Sequence, residues 1–130
     1  MNNDTSPISF LPLGGCGEIG MNLNLFSSQG RWLMVDCGIT FEQANEDHRG
    51  RPSIQMPDPT FISRQRDQLD GLVVTHAHED HFGAIPYLWQ ELQCPVYATP
   101  FAAAVLRKKA AWRGAPPPAP LIEVLPGDTH

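Results

Sequence analysis

Apolar and polar residues alternate along the first part of the chain in the manner of half-buried β-strands. This pattern predicts strands over residues 8–13, 22–27 and 31–36. A glycine-dense turn over residues 14–20 joins the first two strands, and Gln29-Gly30 is typical of a hairpin turn between the second and third. The chain is therefore expected to begin with three consecutive strands.

The periodicity disappears over residues 40–59, which we predict to be a long surface loop. A short helix is predicted over residues 60–68 with Thr60 as its N-cap, followed by a turn at Asp70-Gly71. The apolar run at residues 72–74 predicts a short buried strand, and residues 82–92 predict a helix.

The last third of the chain alternates between strands and a helix. Strands are predicted over residues 95–98 and 121–125, and a turn is predicted at residues 126–128. Thr99 is expected to cap a helix that has Pro100 in its first position and extends to about residue 112. A run of β-strands followed by alternating β and α elements predicts an α/β fold with helices on one face of the sheet.

Composition narrows the function classes. The 130 residues fit a single domain, and 42% hydrophobic with 18% charged residues is enough for a packed core. The formal net charge of -5 weighs against a stand-alone nucleic-acid binder. Neither a signal peptide nor an apolar stretch of membrane-spanning length is visible in the sequence. Three widely spaced cysteines, Cys16, Cys37 and Cys94, favour small buried apolar side chains in a reducing cytosol over a disulfide or a metal site.

The strongest chemical signal is the segment Thr75-His76-Ala77-His78-Glu79-Asp80-His81, directly after the apolar run. Imidazole and carboxylate are ligands for Zn²⁺, and the carboxyl end of a strand is where α/β proteins place their sites. His76 and His78 are two residues apart, so both can bind one metal. Asp80 and His81 follow the turn and can face a second metal. Two metals about 3.5–4 Å apart favour hydrolysis.

Several assignments around this motif stay open. Glu79 either supports a ligand or faces solvent, and Thr75 either hydrogen-bonds a neighbouring ligand or caps the turn. Two ligands for each metal are fewer than the three, plus water, that a catalytic zinc ordinarily has. His48 and His130 lack a context that would make either of them a convincing third ligand.

The segment His76–His81 resembles the H-x-H-x-D-H signature of the metallo-β-lactamase fold superfamily. Its flanks, residues 12–22, 35–38, 56–59 and 84–88, are similar to the ribonuclease J family. The proteins of that family are bacterial members of the β-CASP group of RNA-processing nucleases. The likeness extends from residue 8 to about residue 124. It implies an αββα-type fold, of which residues 1–130 would be the incomplete N-terminal half.

The resemblance implies a role for each matching residue. His76 and His78 would bind the first zinc ion, and Asp80 and His81 the second, with the last two also the catalytic candidates. Asp36 looks like the buried aspartate that supports the histidine loop through hydrogen bonds, although a plain strand-ending turn residue is the alternative. Relatives supply a further histidine, a bridging aspartate and a last histidine from downstream segments.

The function implied is the N-terminal part of a zinc-dependent ribonuclease, in which metal-bound water or hydroxide attacks an RNA phosphodiester. The family acts as an endonuclease and as a 5′-to-3′ exonuclease, binds RNA mostly through domains outside this chain, and forms homo-oligomers. The alternatives are another hydrolase of the fold, acting on a thioester, lactone or lactam, and a non-catalytic metal-binding or interaction module. We expect the isolated chain to be inactive and poorly stable, with an unpaired sheet edge.

Overall fold

A computed structural model describes residues 6–42 and 53–130. In chain order the strands are β1 (Ser9–Gly14), β2 (Leu23–Ser28), β3 (Arg31–Val35), β4 (Thr40–Glu42), β5 (Ser53–Gln55), β6 (Leu69–Val73), β7 (Val96–Ala98) and β8 (Leu121–Glu123). The helices are α1 (Thr60–Ser63), α2 (Glu79–Phe82), α3 (Ile85–Leu92) and α4 (Pro100–Arg113).

Six strands form one mixed sheet in the order β1-β2-β3-β6-β7-β8. β1, β2 and β3 pair antiparallel, and the hairpin turn predicted at Gln29-Gly30 is confirmed, with φ of 53° and 77° at these residues. β3, β6, β7 and β8 pair in parallel, connected through the helices. This arrangement confirms the predicted α/β class.

One face of this sheet forms the core. Leu25, Met34, Leu72 and Val96 lie in one line of directly paired residues across four strands, and each is fully buried. The same core cluster contains apolar residues from the two longer helices: Ile85, Leu88, Leu92, Ala102, Ala103 and Leu106. Burial of this continuous apolar layer is the main force that holds the helices on the sheet.

The opposite face of the sheet is apolar but incompletely covered. Phe10, Phe26 and Leu33 are paired neighbours across β1, β2 and β3, and their exposed fractions are 53%, 38% and 39%. The rings of Phe10 and Phe26 pack against each other with centroids 5.1 Å apart. Within the described residues, the helices therefore cover one face of the sheet, as the sequence predicts.

The segment predicted as a loop over residues 40–59 contains two strands. β4 and β5 pair antiparallel, with Thr40 opposite Gln55, and form a separate two-stranded sheet. Each of these strands has three residues, which is too few for an alternating pattern to be recognised in the sequence. Residues 43–52, which include His48, lie outside the described part of the chain.

The helix predicted over residues 60–68 is also wrong in extent. It consists of the single-turn α1 and a separate 3₁₀ turn at Arg66–Gln68. Thr60 is the first helical residue rather than the N-cap. The carboxylate of Asp58 accepts hydrogen bonds from the Thr60 backbone N–H and hydroxyl, so Asp58 satisfies the free donor at this end.

Two further boundaries differ from prediction. Asp70 and Gly71 lie inside β6 rather than in a turn, and a Cβ at Gly71 would lie 2.9 Å from the Tyr97 ring. The helix predicted over residues 82–92 is divided into α2 and α3, with Pro86 in the first turn of α3. The cap of α4 is confirmed, because the Thr99 hydroxyl accepts from the backbone N–H of Ala102 at 3.3 Å.

None of the helices in the described part of the chain has the length and apolar character needed to cross a bilayer.

Candidate metal centre

The histidine motif lies at the carboxyl end of β6, where the chain turns into α2. His78 has extended backbone geometry and stands at the N-cap position of α2, which carries Asp80 and His81 in its single turn. Parallel neighbours β3 and β7 flank β6 in the sheet. The predicted location of the motif at this edge of the sheet is therefore confirmed, whereas its predicted start for the following helix is three residues too late.

The segment after β3 holds this turn through backbone hydrogen bonds. The N–H of Cys37 donates to the carbonyl of His81 at 2.8 Å, and the N–H of Ile39 donates to the carbonyl of Glu79 at 2.9 Å. The N–H of Ala84 donates back to the carbonyl of Cys37 at 3.0 Å. Two of the metal-ligand candidates, Asp80 and His81, therefore sit on a short helix whose carbonyls are bonded to the segment after β3.

Asp80 is fixed at its backbone by Asn22, which sequence reasoning did not single out. The backbone N–H and the side-chain amide of Asn22 both donate to the Asp80 carbonyl, at 3.0 and 2.9 Å. Gly38 passes so close that a Cβ at that position would overlap this same carbonyl oxygen. Both residues lie in the flanking segments 12–22 and 35–38, but neither residue type pointed to a chemical role from the sequence alone.

Asp36 is the buried charged residue beneath the motif. It is 3% exposed and has a positive φ of 65°, a conformation that aspartate tolerates better than most residues. Its Oδ1 accepts from the Thr75 backbone N–H at 2.8 Å, and its Oδ2 accepts from His81 Nδ1 at 2.7 Å. The Thr75 hydroxyl lies 3.0 and 2.9 Å from the two carboxylate oxygens. The carboxylate is therefore satisfied on both oxygens.

This network indicates the tautomer that each neutral imidazole adopts. The Thr75 hydroxyl has one proton, and the Asp36 carboxylate can only accept, so the hydroxyl donates to Asp36. His76 Nδ1, 2.9 Å from the same hydroxyl, must then be the donor of that contact. His81 Nδ1 likewise donates to Asp36. In the neutral imidazole this places the unprotonated nitrogen of each ring at Nε2, which is the form that binds a metal.

The structure brings the predicted ligand side chains together on one surface. The ring centroid of His76 lies 4.5 Å from that of His78 and 4.2 Å from that of His81. Asp80 Oδ2 lies 3.5 Å from His81 Nε2. The donor types and the free Nε2 atoms fit zinc. Within residues 6–42 and 53–130, however, no three His, Cys, Asp or Glu side chains are placed to hold one ion.

From the sequence, this loop supplies two candidate ligands for each metal. His130 does not add a third, since its contacts are with Tyr97, at 5.9 Å between ring centroids, and with Asp128, at 3.7 Å. The assignment of the four motif residues as zinc ligands, and of Asp36 and Thr75 as their supports, stays a prediction.

Glu79 points away from the ligand side chains and pairs with Lys109 of α4 at 2.5 Å. Of the two alternatives for Glu79, neither anticipated this partner, because Lys109 is 30 residues away in the sequence. The ion pair connects the motif turn to the longest helix.

All three cysteines are free thiols, and the prediction that they are buried is right for Cys37 and Cys94 but wrong for Cys16. Burial raises the pKa of the Cys37 thiol strongly, and it raises the pKa of Cys94 to about 11. Cys16 is exposed. The two buried thiols are therefore protonated near neutral pH and behave as small apolar side chains.

The family model of the metallo-beta-lactamase superfamily matches residues 22–130. The chain belongs to the metallo-β-lactamase superfamily. That match includes the whole histidine motif and most of the six-stranded sheet, so the predicted fold family is confirmed.

Curated relatives of this superfamily member include ribonuclease J of Sinorhizobium meliloti, which is 43% identical over 125 residues, covering 92% of this chain and 21% of the relative. Ribonuclease J of Helicobacter pylori is 37% identical over 107 residues, covering 82% of this chain and 15% of the relative. The chain thus spans about a fifth or less of the length of these relatives.

Solved structures show the same fold at low sequence identity. MEM-A1, a subclass B3 metallo-beta-lactamase from a soil metagenome library, superposes with a TM-score of 0.57 at 20% identity, covering 92% of this chain and 44% of that protein. Human tRNase Z, short form, superposes with a TM-score of 0.50 at 16% identity, covering 83% of this chain and 39% of that protein.

Proposed function

We propose that this chain is part of a zinc-dependent ribonuclease and supplies the first four metal ligands of its active site. His76 and His78 hold one ion, and Asp80 and His81 hold a second. The remaining ligands come from outside these residues. The observation that carries the proposal is the hydrogen-bond network of Asp36 and Thr75, which leaves Nε2 of His76 and His81 free for a metal.

The choice of RNA as the substrate class rests on the relatives. The two curated relatives are named ribonuclease J, at 43% and 37% identity over most of this chain. Hydrolysis of a thioester, lactone or lactam is the alternative within the same fold, and the identity to ribonucleases argues against it. The same identity over most of the chain argues against a non-catalytic module.

The residues of this chain would divide the work as follows. Asp36 and Thr75 orient the imidazoles of His76 and His81 and keep their Nδ1 atoms protonated. Asn22 fixes the backbone that carries Asp80. Zinc, when bound, supplies Lewis acidity that lowers the pKa of water and offsets the charge of a phosphodiester. Cleavage mode, internal or from the 5′ end, and homo-oligomerisation are carried over from the resemblance. A cytoplasmic location is supported by the three free thiols.

The test is zinc content, measured by elemental analysis after equilibrium dialysis of the wild-type chain, His76→Ala and the matched control His130→Ala. We expect less bound zinc in His76→Ala than in the wild type, and the wild-type amount in His130→Ala. Equal zinc in all three proteins would contradict the metal assignment. In the full-length polypeptide, His76→Ala should also abolish cleavage of a 5′-labelled oligoribonucleotide, whereas His130→Ala should retain it.

A further inference from the structure

The C-terminal half of α4 is a positively charged element in an acidic chain. The helix has no acidic residue, and it carries four of the nine lysines and arginines of the sequence: Arg107, Lys108, Lys109 and Arg113. Two of these are paired, Arg107 with a carboxylate of β8 and Lys109 with a carboxylate of α2. Within the described residues, no ion pair involves Lys108 or Arg113, so two charges stay available on this surface.

Both available cations lie over aromatic rings that face solvent. The guanidinium carbon of Arg113 is 4.2 Å from the ring centroid of Tyr87, and Lys108 Nζ is 5.3 Å from the ring of Trp112. Trp112 is 74% exposed and Tyr87 is 39% exposed. Exposure of aromatic rings to water is unfavourable, and here the exposed rings occur together with cations. In proteins that bind single-stranded nucleic acids, bases stack on such rings and the cations neutralise phosphates.

The surface is also grooved at the scale of a single flat ring. A groove of about 260 Å³ is lined by Phe41, Trp112, Tyr87 and Arg113 among others. A second groove of about 200 Å³ is lined by Trp89, Tyr87 and Arg113 among others. Tyr87 and Arg113 thus line both of these partly apolar grooves.

We infer that this aromatic–cationic surface, defined by Tyr87, Lys108, Trp112 and Arg113, binds single-stranded RNA. Bases stack on Trp112 and enter the grooves beside Tyr87, and phosphates contact Lys108 and Arg113. The inference rests on the proposed function for the choice of RNA as the polyanion. A protein partner fits less well, because two unpaired cations would have to be desolvated or matched by added carboxylates.

The net charge of -5 does not oppose this inference, because the charge is local. Lys109 pairs with Glu79 next to the ligand candidates, so the surface adjoins the motif turn. RNA bound there would use none of the proposed metal ligands.

The experiment measures fluorescence anisotropy of a fluorescein-labelled 12-residue oligouridylate titrated with the wild-type chain at low salt. We expect Trp112→Ala to weaken binding roughly 5- to 100-fold, with Tyr87→Ala/Trp112→Ala weaker still, as loss of stacked bases predicts. Lys108→Ala/Arg113→Ala should lower the slope of log affinity against log salt by about 1.4, or about 0.7 for each lost phosphate contact.

Matched controls separate this surface from general effects. Phe101→Ala removes an aromatic ring that is 72% exposed at the other end of α4, and Arg64→Ala/Arg66→Ala removes two exposed arginines elsewhere. Both controls should bind RNA like the wild type, and circular dichroism should show that every variant is folded.

Three results would overturn the inference: no RNA binding by the folded wild-type chain, unchanged affinity in the Trp112 and Lys108 variants, or equal losses in the controls. A change in self-association with unchanged RNA affinity would likewise overturn it and identify a protein interface. Zinc content is measured on the same samples. If RNA binding depends on this surface while His76→Ala binds as much zinc as the wild type, the inference stands and the proposed hydrolase fails.

Discussion

Replacing Thr75 by valine should weaken zinc binding without touching a ligand. The Thr75 hydroxyl lies 2.9 Å from His76 Nδ1 and 3.0 and 2.9 Å from the oxygens of Asp36. Valine has nearly the same shape but offers neither a donor nor an acceptor. His76 then loses the group that fixes its ring and its proton on Nδ1, while the ligand atom itself is unchanged.

The size of the effect follows from the contacts that remain. Asp36 keeps the Thr75 backbone N–H at 2.8 Å and His81 Nδ1 at 2.7 Å, so its charge stays partly satisfied. Losing a hydroxyl bond to a charged group costs about 1.5–3 kcal/mol of stability. Losing the partner of a ligand imidazole typically costs about 10- to 100-fold in metal affinity. Thr75→Ser retains the hydroxyl and should stay within a few-fold of the wild type.

The assay is competition for zinc against a chromophoric chelator, with urea unfolding of the metal-free protein measured in parallel. Thr60→Val is the matched control, because it removes the exposed hydroxyl at the start of α1 that donates to Asp58. It should leave zinc affinity unchanged. The reasoning would be refuted if Thr75→Val bound zinc as tightly as Thr75→Ser, or if Thr60→Val weakened zinc binding equally.

Three other perturbations test the surroundings of the motif. Gly38→Ala should unfold the chain or cost several kcal/mol, because its Cβ would overlap a carbonyl of α2, whereas Gly30→Ala, with open space around it, should cost only about 1–2 kcal/mol in urea unfolding. Lys109→Met should cost about 0.5–1 kcal/mol, less at high salt, since the glutamate of its ion pair is 42% exposed; an effect independent of salt would argue against a Coulombic role. Ellman's reagent at pH 8 should label Cys16 alone in the folded protein, because the other two thiols are buried. Rapid labelling of more than one thiol in the native state would contradict that expectation. Burial raises the pKa of Cys94 to about 11, so its contribution to stability is complete below about pH 8.5 and is lost as pH rises towards 11.

The sequence predicted the fold where the pattern was long and regular. β2, β3 and α4 fall within one or two residues of their predicted bounds, because alternation and a Thr-Pro cap are local signals. Prediction from the sequence failed where tertiary contacts determine the secondary structure. β4 and β5 are three residues each and exist by pairing with each other, and Asp70-Gly71 is extended because β6 pairs with β3 and β7.

The candidate site was likewise predicted where its signal is local and missed where it depends on long-range contacts. The motif itself was visible, since its donors lie within seven consecutive residues. Asp36 was recognised through the resemblance, but its contacts to Thr75 and His81 span 39 and 45 residues and could not be read from spacing. Asn22 was missed because it acts through a backbone carbonyl of the motif that is 58 residues away. Lys109 was missed because it contacts a side chain that is 30 residues away and is not a ligand candidate.

The backbone bonds from Asn22, Cys37 and Ile39 to the carbonyls of α2 bear on how folding would be related to metal binding. In a zinc finger the free energy of metal binding is spent on folding, and chelation unfolds the domain. Here the turn that carries Asp80 and His81 is held to the sheet by backbone hydrogen bonds between protein groups. Substitution of a ligand candidate is therefore expected to change metal binding more than it changes folding.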